Sequence, residues 1–543
     1  MAKRGNGSKW MGLGTWALAS GLFGCAVPAT DLEEDDGPHV VSVDDGKGDS
    51  SREATFLVFE FDGRLEGTSI WSADGAIRDQ LLYTIGHLNG DRSVGRLDDL
   101  ELTNVKTAQS GGKSVVTYHA RLPVAWGKPA SVPAKYALTL PLDADGYAAF
   151  TAKYKASCVD PGAHDVDEGS MWYYYRPSNG GCQLAATDVW KTEASVTVSR
   201  NITKDKYPEY DKVWEDGQLR VVAVFGKYEA SGTTEADAGI AAYDEFVAAI
   251  RSTLGGADLV TTPAIVPSHP GDALKDITFE ASLPGGKKVV VNALLVDAIA
   301  SADQAFYDRY EALSTRADLI AYNGHAGLGQ NVRALSRHGR FVAGQYVIVF
   351  MNGCDTYAYV DGSLADARRA LNPDDPSGTK YLDFVVNAMP AYFQSDSGAS
   401  MALIDGLLAY QAPLDYGQIF DRVDSMQVVL VTGEEDNQFR PGTPPPAGWS
   451  LDETGTLKKG EMKTFRSATL AAGSYVVQLA GTGDADLYVR KGADPTTKAY
   501  DCRPYKDGSD ERCELTLTAP TTLAIMVRGY AASSDFHVTG AKK

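Results

Sequence analysis

Asp318–His325 reads Asp-Leu-Ile-Ala-Tyr-Asn-Gly-His, and Gln345–Cys354 reads Gln-Tyr-Val-Ile-Val-Phe-Met-Asn-Gly-Cys. Both stretches are apolar runs that end in Asn-Gly and then a basic or nucleophilic side chain. An apolar run of this length, closed by glycine, predicts a strand buried on both faces of a parallel sheet. The reactive crevice of an open α/β sheet lies at the carboxyl ends of its strands, so His325 and Cys354 are expected side by side. The pair suggests a cysteine hydrolase.

The sequence around these two stretches alternates between strand and helix patterns. Repeated β-α units predict an α/β/α domain with a mostly parallel sheet, which we place at residues 206–440. The further strands are predicted at Leu219–Phe225, Val289–Val296 and Gln427–Val431, and the helices at Ala236–Leu254, Ala302–Leu313, Tyr381–Phe393 and Ala399–Tyr410.

Strand-like segments lie on both sides of this central section. Residues 53–205 carry alternating apolar runs with recurrent turn residues, which predict a mostly-β domain, either a β-sandwich or a barrel. A Pro/Gly linker at 441–450 precedes residues 451–543, where short alternating runs predict a second β-sandwich. The expected fold is multidomain: mostly-β at the N-terminus, α/β/α in the centre and a β-sandwich at the C-terminus.

The N-terminus has the features of an export signal. Basic residues precede an apolar segment from about Trp10 to Phe23, which is too short to span a membrane. Leu22–Cys25 resembles the lipobox of bacterial lipoproteins, which implies a signal peptide at 1–24 and lipidation of Cys25. Cleavage without lipidation and an uncut N-terminal anchor are the alternatives. Residues 25–52 are acidic and poor in apolar side chains, which predicts a disordered tether.

Export to an oxidising compartment makes disulfides plausible. Cys158 and Cys182 are close in sequence, as are Cys502 and Cys513, so each pair would close a local loop. With Cys25 lipidated and both pairs formed, Cys354 is the thiol left over. An odd cysteine in an exported protein is a candidate reactive thiol.

Charge and motif content limit the partners. The chain has 51 Lys+Arg against 71 Asp+Glu, a net charge of −20. This balance argues against nucleic acid as a partner and against electrostatic binding to anionic lipid, so membrane contact is expected only through the N-terminal lipid anchor. There is no His-Glu-x-x-His, no Gly-x-Ser-x-Gly and no phosphate-binding loop, so neither a metal nor a cofactor is predicted.

Residues 451–543 closely resemble the bacterial pre-peptidase C-terminal domain. The resemblance rests on Gly481–Val489, Tyr500–Tyr505, Glu511–Cys513 and Val527–Tyr530. Such domains occur on secreted bacterial peptidases of several catalytic types and are sometimes removed on maturation. The resemblance implies an exported hydrolase, expected in the bacterial cell envelope as an outer-membrane or cell-surface lipoprotein or in a released form.

The central section resembles the caspase–gingipain–legumain superfamily of cysteine peptidases. Its signature is a hydrophobic strand ending in His-Gly, followed by a hydrophobic strand ending in a small residue and Cys. Ala321–Gly327 and Val349–Asp355 match that order, except that His-Ala-Gly replaces His-Gly and Gly353 replaces the usual alanine. The resemblance implies a cysteine endopeptidase that cleaves protein or peptide substrates.

The same resemblance assigns roles to individual residues. Cys354 would attack the peptide carbonyl, and His325 would protonate the leaving amine. The oxyanion hole would come from the backbone N–H groups of Cys354 and of Ala326 or Gly327. Asp355 is a guess for a group that binds a basic substrate side chain. A pocket for acidic side chains stays open, since Arg333, Arg337 and Arg340 lie between the two motifs.

Three alternatives remain at this point. A catalytically inactive surface lipoprotein used for adhesion or binding would follow if the His-Ala-Gly turn blocked the oxyanion donor. Gly398–Ala402 resembles the serine motif of subtilisin-like peptidases, although the stretch between His325 and Ser400 is too short for that family. Cys354 as a buried, unreactive thiol is the third.

Overall fold

The computed structural model describes residues 54–128, 131–163, 166–202, 206–256, 258–373, 375–432, 437, 439–442, 449–467, 470, 473–518 and 521–542. The predicted signal peptide, the lipidation site at Cys25 and the acidic tether lie outside these residues, as does most of the predicted linker. None of the helices in the described ranges is long and apolar enough to cross a membrane.

An antiparallel sheet with a long helix beside it forms the N-terminal domain. In the described part of this domain the strand order is β2-β4-β1-β6-β5, and β3 pairs with β4. The elements are β1 (Thr55–Gly67), α1 (Ala73–Asn89), β2 (Ser93–Gly95), β3 (Glu101–Ser110), β4 (Lys113–Trp126), β5 (Lys135–Pro141), α2 (Tyr147–Tyr154), α3 (Met171–Tyr174) and β6 (Val189–Ile202).

Helix α1 makes this domain different from the expected sandwich or barrel. Ser72 caps the helix by accepting a hydrogen bond from the backbone N–H of Gly75. Ile77, Leu81 and Leu88 follow each other at helical spacing and are fully buried in the core of the domain. A helix face therefore covers apolar surface where the sequence predicted a second sheet. Cys158 and Cys182 form a disulfide within this domain.

The central domain is built on a mostly parallel sheet. Its elements are α4 (Tyr210–Val213), β7 (Gln218–Gly226), α5 (Ala238–Leu254), β8 (Val260–Thr262), β9 (Asp276–Ser282), β10 (Lys288–Val296), α6 (Gln304–Ser314), β11 (Leu319–Asn323), α7 (Gln330–His338), β12 (Val347–Asn352), α8 (Thr356–Tyr359), α9 (Ser363–Leu371), β13 (Leu382–Asn387), α10 (Phe393–Leu408), α11 (Tyr416–Phe420) and β14 (Val429–Thr432).

Among the described strands of this domain the order is β14-β13-β12-β11-β7-β10-β9-β8. Strands β13, β12, β11, β7 and β10 run parallel, and antiparallel strands lie at both edges. Every residue of β11 and β12 is buried, as their apolar runs predicted. Helices cover both faces of the sheet and give it two apolar cores.

One predicted helix of the central domain is wrong. The segment Tyr381–Phe393 contains the buried strand β13, and the helix α10 begins only at Phe393. Its residues Leu-Asp-Phe-Val-Val-Asn include two adjacent valines and are buried throughout, as is typical of a central parallel strand. A short apolar run cannot be assigned to strand or helix by its periodicity alone.

The C-terminal domain is a two-sheet β-sandwich, as predicted. One sheet has the order β15-β21-β17-β19 and the other β16-β20-β18 within the described residues. Apolar side chains of the two sheets meet in a separate core, and Cys502 and Cys513 form a disulfide. The strands are β15 (Ser450–Lys458), β16 (Met462–Arg466), β17 (Gly473–Thr482), β18 (Ala485–Lys491), β19 (Glu511–Leu517), β20 (Leu523–Gly529) and β21 (Ser533–Lys542).

The N-terminal domain packs directly on the segment that follows β12. The rings of Phe56 and Tyr357 are 5.9 Å apart, and the Arg96 guanidinium lies 6.0 Å from the centre of the Tyr357 ring. Trp172 and Tyr359 make a second ring contact at 6.5 Å. Phe56, Tyr357 and Tyr359 belong to one continuous apolar core that crosses the boundary between the two domains. The carboxyl end of β12 is therefore covered by another domain.

Candidate functional site

The motifs Asn323-Gly324-His325 and Asn352-Gly353-Cys354 begin at the ends of the adjacent parallel strands β11 and β12. Asn323 pairs in register with Asn352, so the two Asn-Gly sequences end at the same edge of the sheet. The Gly324 N–H donates to the Asn352 carbonyl at 3.1 Å. A Cβ on Gly353 would lie only 2.7 Å from the Gly324 carbonyl oxygen. Glycine is therefore required at position 353 for the two strand ends to approach this closely.

A buried amide network explains the asparagines of the two motifs. The Asn352 Nδ2 donates to Asn323 Oδ1 at 2.9 Å and to Asp396 Oδ1 at 3.0 Å. The Asn352 Oδ1 accepts from Asn387 Nδ2 at 2.7 Å and from Gln427 Nε2 at 3.3 Å. Because Asn323, Asn352 and Asn387 end three neighbouring strands, their side chains tie those strand ends together. The Asn-Gly repeat is thus a structural feature.

Cys354 is not available as a nucleophile. Its sulfur is part of a disulfide, and the side chain is only 2% exposed. The sulfur lies 3.6 Å from the carbonyl oxygen of Ala391, which follows β13. A thiolate is the reactive form of cysteine, and a disulfide sulfur has no thiolate to offer.

The His325 side chain contacts the segment that follows β7, whereas Cys354 contacts the segment that follows β13. Its Nε2 lies 2.9 Å from the carbonyl oxygen of Tyr228, which follows β7. The imidazole packs between the rings of Tyr228 and Phe393, at 5.3 and 4.9 Å. Burial lowers the pKa of His325, against smaller opposing contributions from the Tyr228 carbonyl, Asp237 and Glu229. The imidazole is therefore held in place as part of the core.

The carbonyl groups of the predicted oxyanion turn accept hydrogen bonds that fix the conformation of the turn. The His325 carbonyl accepts from Tyr322 Oη at 2.6 Å and from Asn331 Nδ2 at 2.8 Å. The Ala326 carbonyl accepts from the Gly329 N–H, and Ala326 is buried. Gly327 has a φ of +58°, which begins a tight turn into α7. This turn connects β11 to α7.

The remaining predicted site residues are buried as well. Asp355, the group guessed to bind a basic substrate side chain, is 0% exposed and lies against residues of the N-terminal domain. Burial raises the pKa of Asp355 to about 7, and Tyr173, Arg176 and Asn89 of the N-terminal domain oppose that shift. The subtilisin alternative fails too. Ser400 is fully buried in α10, where its Oγ donates to Asn323 Oδ1 at 2.9 Å.

A second group of polar residues lies at the same sheet edge, in an open cavity. Glu235 precedes α5, Asp244 lies on α5, and His269 lies in the segment before β9. The His269 Nδ1 is 3.1 Å from Glu235 Oε1 and 3.9 Å from Asp244 Oδ2. The cavity has a volume of about 460 Å³ and is also lined by Thr233, Thr234 and Asp272.

The cavity lies among segments at the carboxyl edge of the central sheet. Asp276, the first residue of β9, pairs with Leu294 near the end of β10, so the segment with His269 lies at the carboxyl edge. Glu235, Asp244 and His269 could not be recognised from the sequence, because they are separated in the chain and follow no ligand motif. The only available signal was the expectation that loops at this edge carry polar side chains.

A family description matches part of the C-terminal domain, and several curated proteins share similarity with the chain. The family description "Bacterial pre-peptidase C-terminal domain" matches residues 464–529. The chain is 42% identical over 95 residues to the "Neutral protease" of Vibrio proteolyticus, covering 16% of this chain and 16% of that protein. It is 43% identical over 95 residues to the "Zinc metalloprotease" of Helicobacter pylori, covering 16% and 37%. It is 31% identical over 164 residues to the "Alkaline serine exoprotease A" of Vibrio alginolyticus, covering 28% and 30%.

These findings confirm the predicted pre-peptidase C-terminal domain, and of the predicted location they support only export. The chain carries a pre-peptidase C-terminal domain. It spans between 16% and 37% of the length of the first two relatives, so their activities as whole proteins do not transfer directly. The domain and the named proteases support an exported protein.

The prediction of a cysteine endopeptidase is wrong. The relatives are named as a neutral protease, a zinc metalloprotease and a serine exoprotease, and none of these names indicates a cysteine peptidase. The structure gives the physical reason, because Cys354 is disulfide-bonded and only 2% exposed.

Proposed function

We propose that the protein is an exported peptidase that hydrolyses protein substrates without a cysteine nucleophile. The observation that carries the proposal is the pre-peptidase C-terminal domain, since the relatives described above are named as proteases. The open cavity at the carboxyl edge of β7 and β10 supports it, because α/β domains bind their ligands at that edge.

Peptide hydrolysis that resists thiol reagents is the expected result. The full chain, expressed with its own N-terminus and purified after processing, should cleave denatured casein or a proteome-derived peptide library, with the products identified by mass spectrometry. Alkylation of the unreduced protein with iodoacetamide should change the rate by less than about twofold, because the Cys354 sulfur is held in a disulfide.

Papain, treated in parallel, controls for effective alkylation. Loss of activity on alkylation would contradict a mechanism without a cysteine nucleophile. A folded protein that cleaves no member of the library would overturn the peptidase proposal itself.

Export without lipidation is also part of the proposal. The pairs Cys158–Cys182 and Cys502–Cys513 leave Cys25 as the one other cysteine of the sequence, so a lipidated Cys25 would leave Cys354 without a disulfide partner in the same chain. Cleavage of the signal peptide without lipidation, the alternative interpretation of Leu22–Cys25, is compatible with that disulfide. In cells grown with an alkyne-labelled fatty acid, the wild-type protein should stay as unlabelled as Cys25→Ser. Labelling of the wild-type protein alone would contradict this and support a lipid anchor in the cell envelope.

For the central domain we propose the α/β plan of the caspase–gingipain–legumain superfamily without its Cys-His chemistry. The support comes from the adjacent parallel strands β11 and β12, which end in the two motifs. The proposed domains are residues 53–205, 206–440 and 451–543, and residues 441–450 are the proposed linker.

A further inference from the structure

We propose that Glu235, Asp244 and His269 form a binding site for a divalent transition-metal ion such as Zn²⁺ or Mn²⁺. One imidazole nitrogen and two carboxylate oxygens converge at the carboxyl edge of the central sheet. The three ligand atoms all lie within 4.8 Å of one another. The site itself stands on this geometry, whereas a role in catalysis would rest on the proposed peptidase function.

The distances between the ligand atoms fit a small metal ion. Zinc binds imidazole nitrogen and carboxylate oxygen at about 2.0–2.2 Å, so two ligands of a tetrahedral ion lie roughly 3.3–3.6 Å apart. The His269 Nδ1 is 3.1 Å from Glu235 Oε1 and 3.9 Å from Asp244 Oδ2, which brackets that range. Small rotations of the two exposed side chains would equalise the distances, since the side chains of His269 and Glu235 are 61% and 55% exposed.

Asp244 supplies a second, independent observation. The residue is only 4% exposed, and its Oδ2 has no hydrogen-bond partner among the described residues. The other oxygen, Oδ1, accepts from the Gly271 N–H at 2.7 Å, which fixes the carboxyl group so that Oδ2 faces His269. Leaving a buried carboxylate oxygen without a partner is unfavourable, and a cation in the site would remove that cost.

The positive charges next to the site are already neutralised. The Lys227 Nζ lies 2.6 Å from Asp272 Oδ1 and 2.8 Å from Asp297 Oδ1, and the Lys275 Nζ also contacts Asp272 at 2.8 Å. Both lysines already form ion pairs with Asp272 or Asp297, so neither of them neutralises the carboxylate of Asp244. Gly271, with a φ of +51°, turns the chain so that its N–H reaches the carboxyl group.

The ligand types select the class of metal. Imidazole with carboxylates suits zinc, manganese and iron, whereas calcium requires six to eight oxygen ligands and thiolates are absent from this group. Three protein ligands beside an open cavity of about 460 Å³ leave coordination positions for water or substrate. Sites with an open position are the catalytic kind, whereas structural zinc sites are closed by four protein ligands.

Metal binding is measured on the full processed chain after treatment with EDTA and dialysis. Titration calorimetry should give one equivalent of Zn²⁺, and Co²⁺ in its place should produce visible absorption bands that report imidazole and carboxylate ligation. Asp244→Asn should weaken Zn²⁺ binding by at least about 100-fold, and His269→Gln by at least about 10-fold, as expected for the loss of a ligand. Asn keeps the acceptor for the Gly271 N–H, and His269 is exposed, so both variants are expected to fold.

Glu245→Gln is the matched control. Glu245 follows Asp244 on the same helix and is exposed, so its substitution should leave binding unchanged. Binding that survives Asp244→Asn and His269→Gln, or a wild-type chain that binds no Zn²⁺ and no Mn²⁺, would overturn the site. Metal binding without hydrolysis of any peptide would keep the site and overturn the peptidase. Hydrolysis by a chain that binds no metal would keep the peptidase proposal and overturn the metal site.

Discussion

Asn352→Ala is expected to lower the free energy of unfolding by about 3–5 kcal/mol, as measured by urea denaturation followed by circular dichroism. Asn352 is fully buried and lies at the centre of the amide network. Its removal would leave Asp396 Oδ1 without its donor and Gln427 Nε2 without its acceptor. Asn323 Oδ1 and Asn387 Nδ2 would each lose one of two hydrogen bonds. Each buried polar group that loses its partner costs about 1–3 kcal/mol, with partial relief if water enters the cavity.

Ser400→Ala tests the same network from its periphery. Ser400 donates one hydrogen bond, to Asn323, so its substitution should cost only about 1 kcal/mol. If Asn352→Ala cost no more than Ser400→Ala, the network would not hold the strand ends together.

The free energy of unfolding is expected to fall by about 2–3 kcal/mol between pH 6.5 and pH 8. Burial raises the pKa of Asp318 to about 8 and the pKa values of Asp355 and Asp383 to about 7, whereas these groups ionise near pH 4 in an unfolded chain. In this range the folded chain binds more protons than the unfolded chain, so raising the pH favours unfolding. The magnitude allows for solvent that reaches the partly buried Asp318.

The chosen pH range limits an opposing effect. Burial lowers the pKa of His87 to about 4 and lowers that of His325, so deprotonation of these histidines in the unfolded chain adds stability as the pH rises. At pH 6.5 the unfolded histidines are already about half deprotonated, and their opposing slope fades toward pH 8. Urea titrations at half-unit steps measure the slope directly.

Asp318→Asn removes the largest of the three contributions and should reduce the slope by about half. Its amide oxygen can still accept from the Arg220 N–H, which Asp318 Oδ2 accepts at 2.7 Å. Stability that rises between pH 6.5 and pH 8, or a slope unchanged in Asp318→Asn, would contradict the assignment.

Apolar periodicity predicted much of the central sheet and its helices. The segments predicted as strands at Leu219–Phe225 and Val289–Val296 lie within β7 and β10, and the helix predicted at Ala236–Leu254 corresponds to α5. These elements have long, unambiguous patterns. The six residues of β13 do not, and helix α1 went unpredicted although Ile77, Leu81 and Leu88 follow helical spacing.

Side-chain direction at the strand ends could not be predicted from the sequence. The motifs placed His325 and Cys354 at the same edge, and the structure agrees with that placement. Gly324, with a φ of +142°, and the turn after it set where His325 points, and neither is encoded in the apolar run. The domain that covers the carboxyl end of β12 is built from residues distant in the sequence. Glu235, Asp244 and His269 come together for the same reason, through tertiary structure alone.

The apolar core shared by Phe56, Tyr357 and Tyr359 has an evolutionary consequence. A gene rearrangement that separated the first two domains would expose a buried aromatic surface on each, which favours aggregation. The C-terminal sandwich has a core of its own and can be joined to unrelated partners without that penalty. Inheritance should therefore keep the first two domains together as one exchangeable piece, while the third is gained and lost separately.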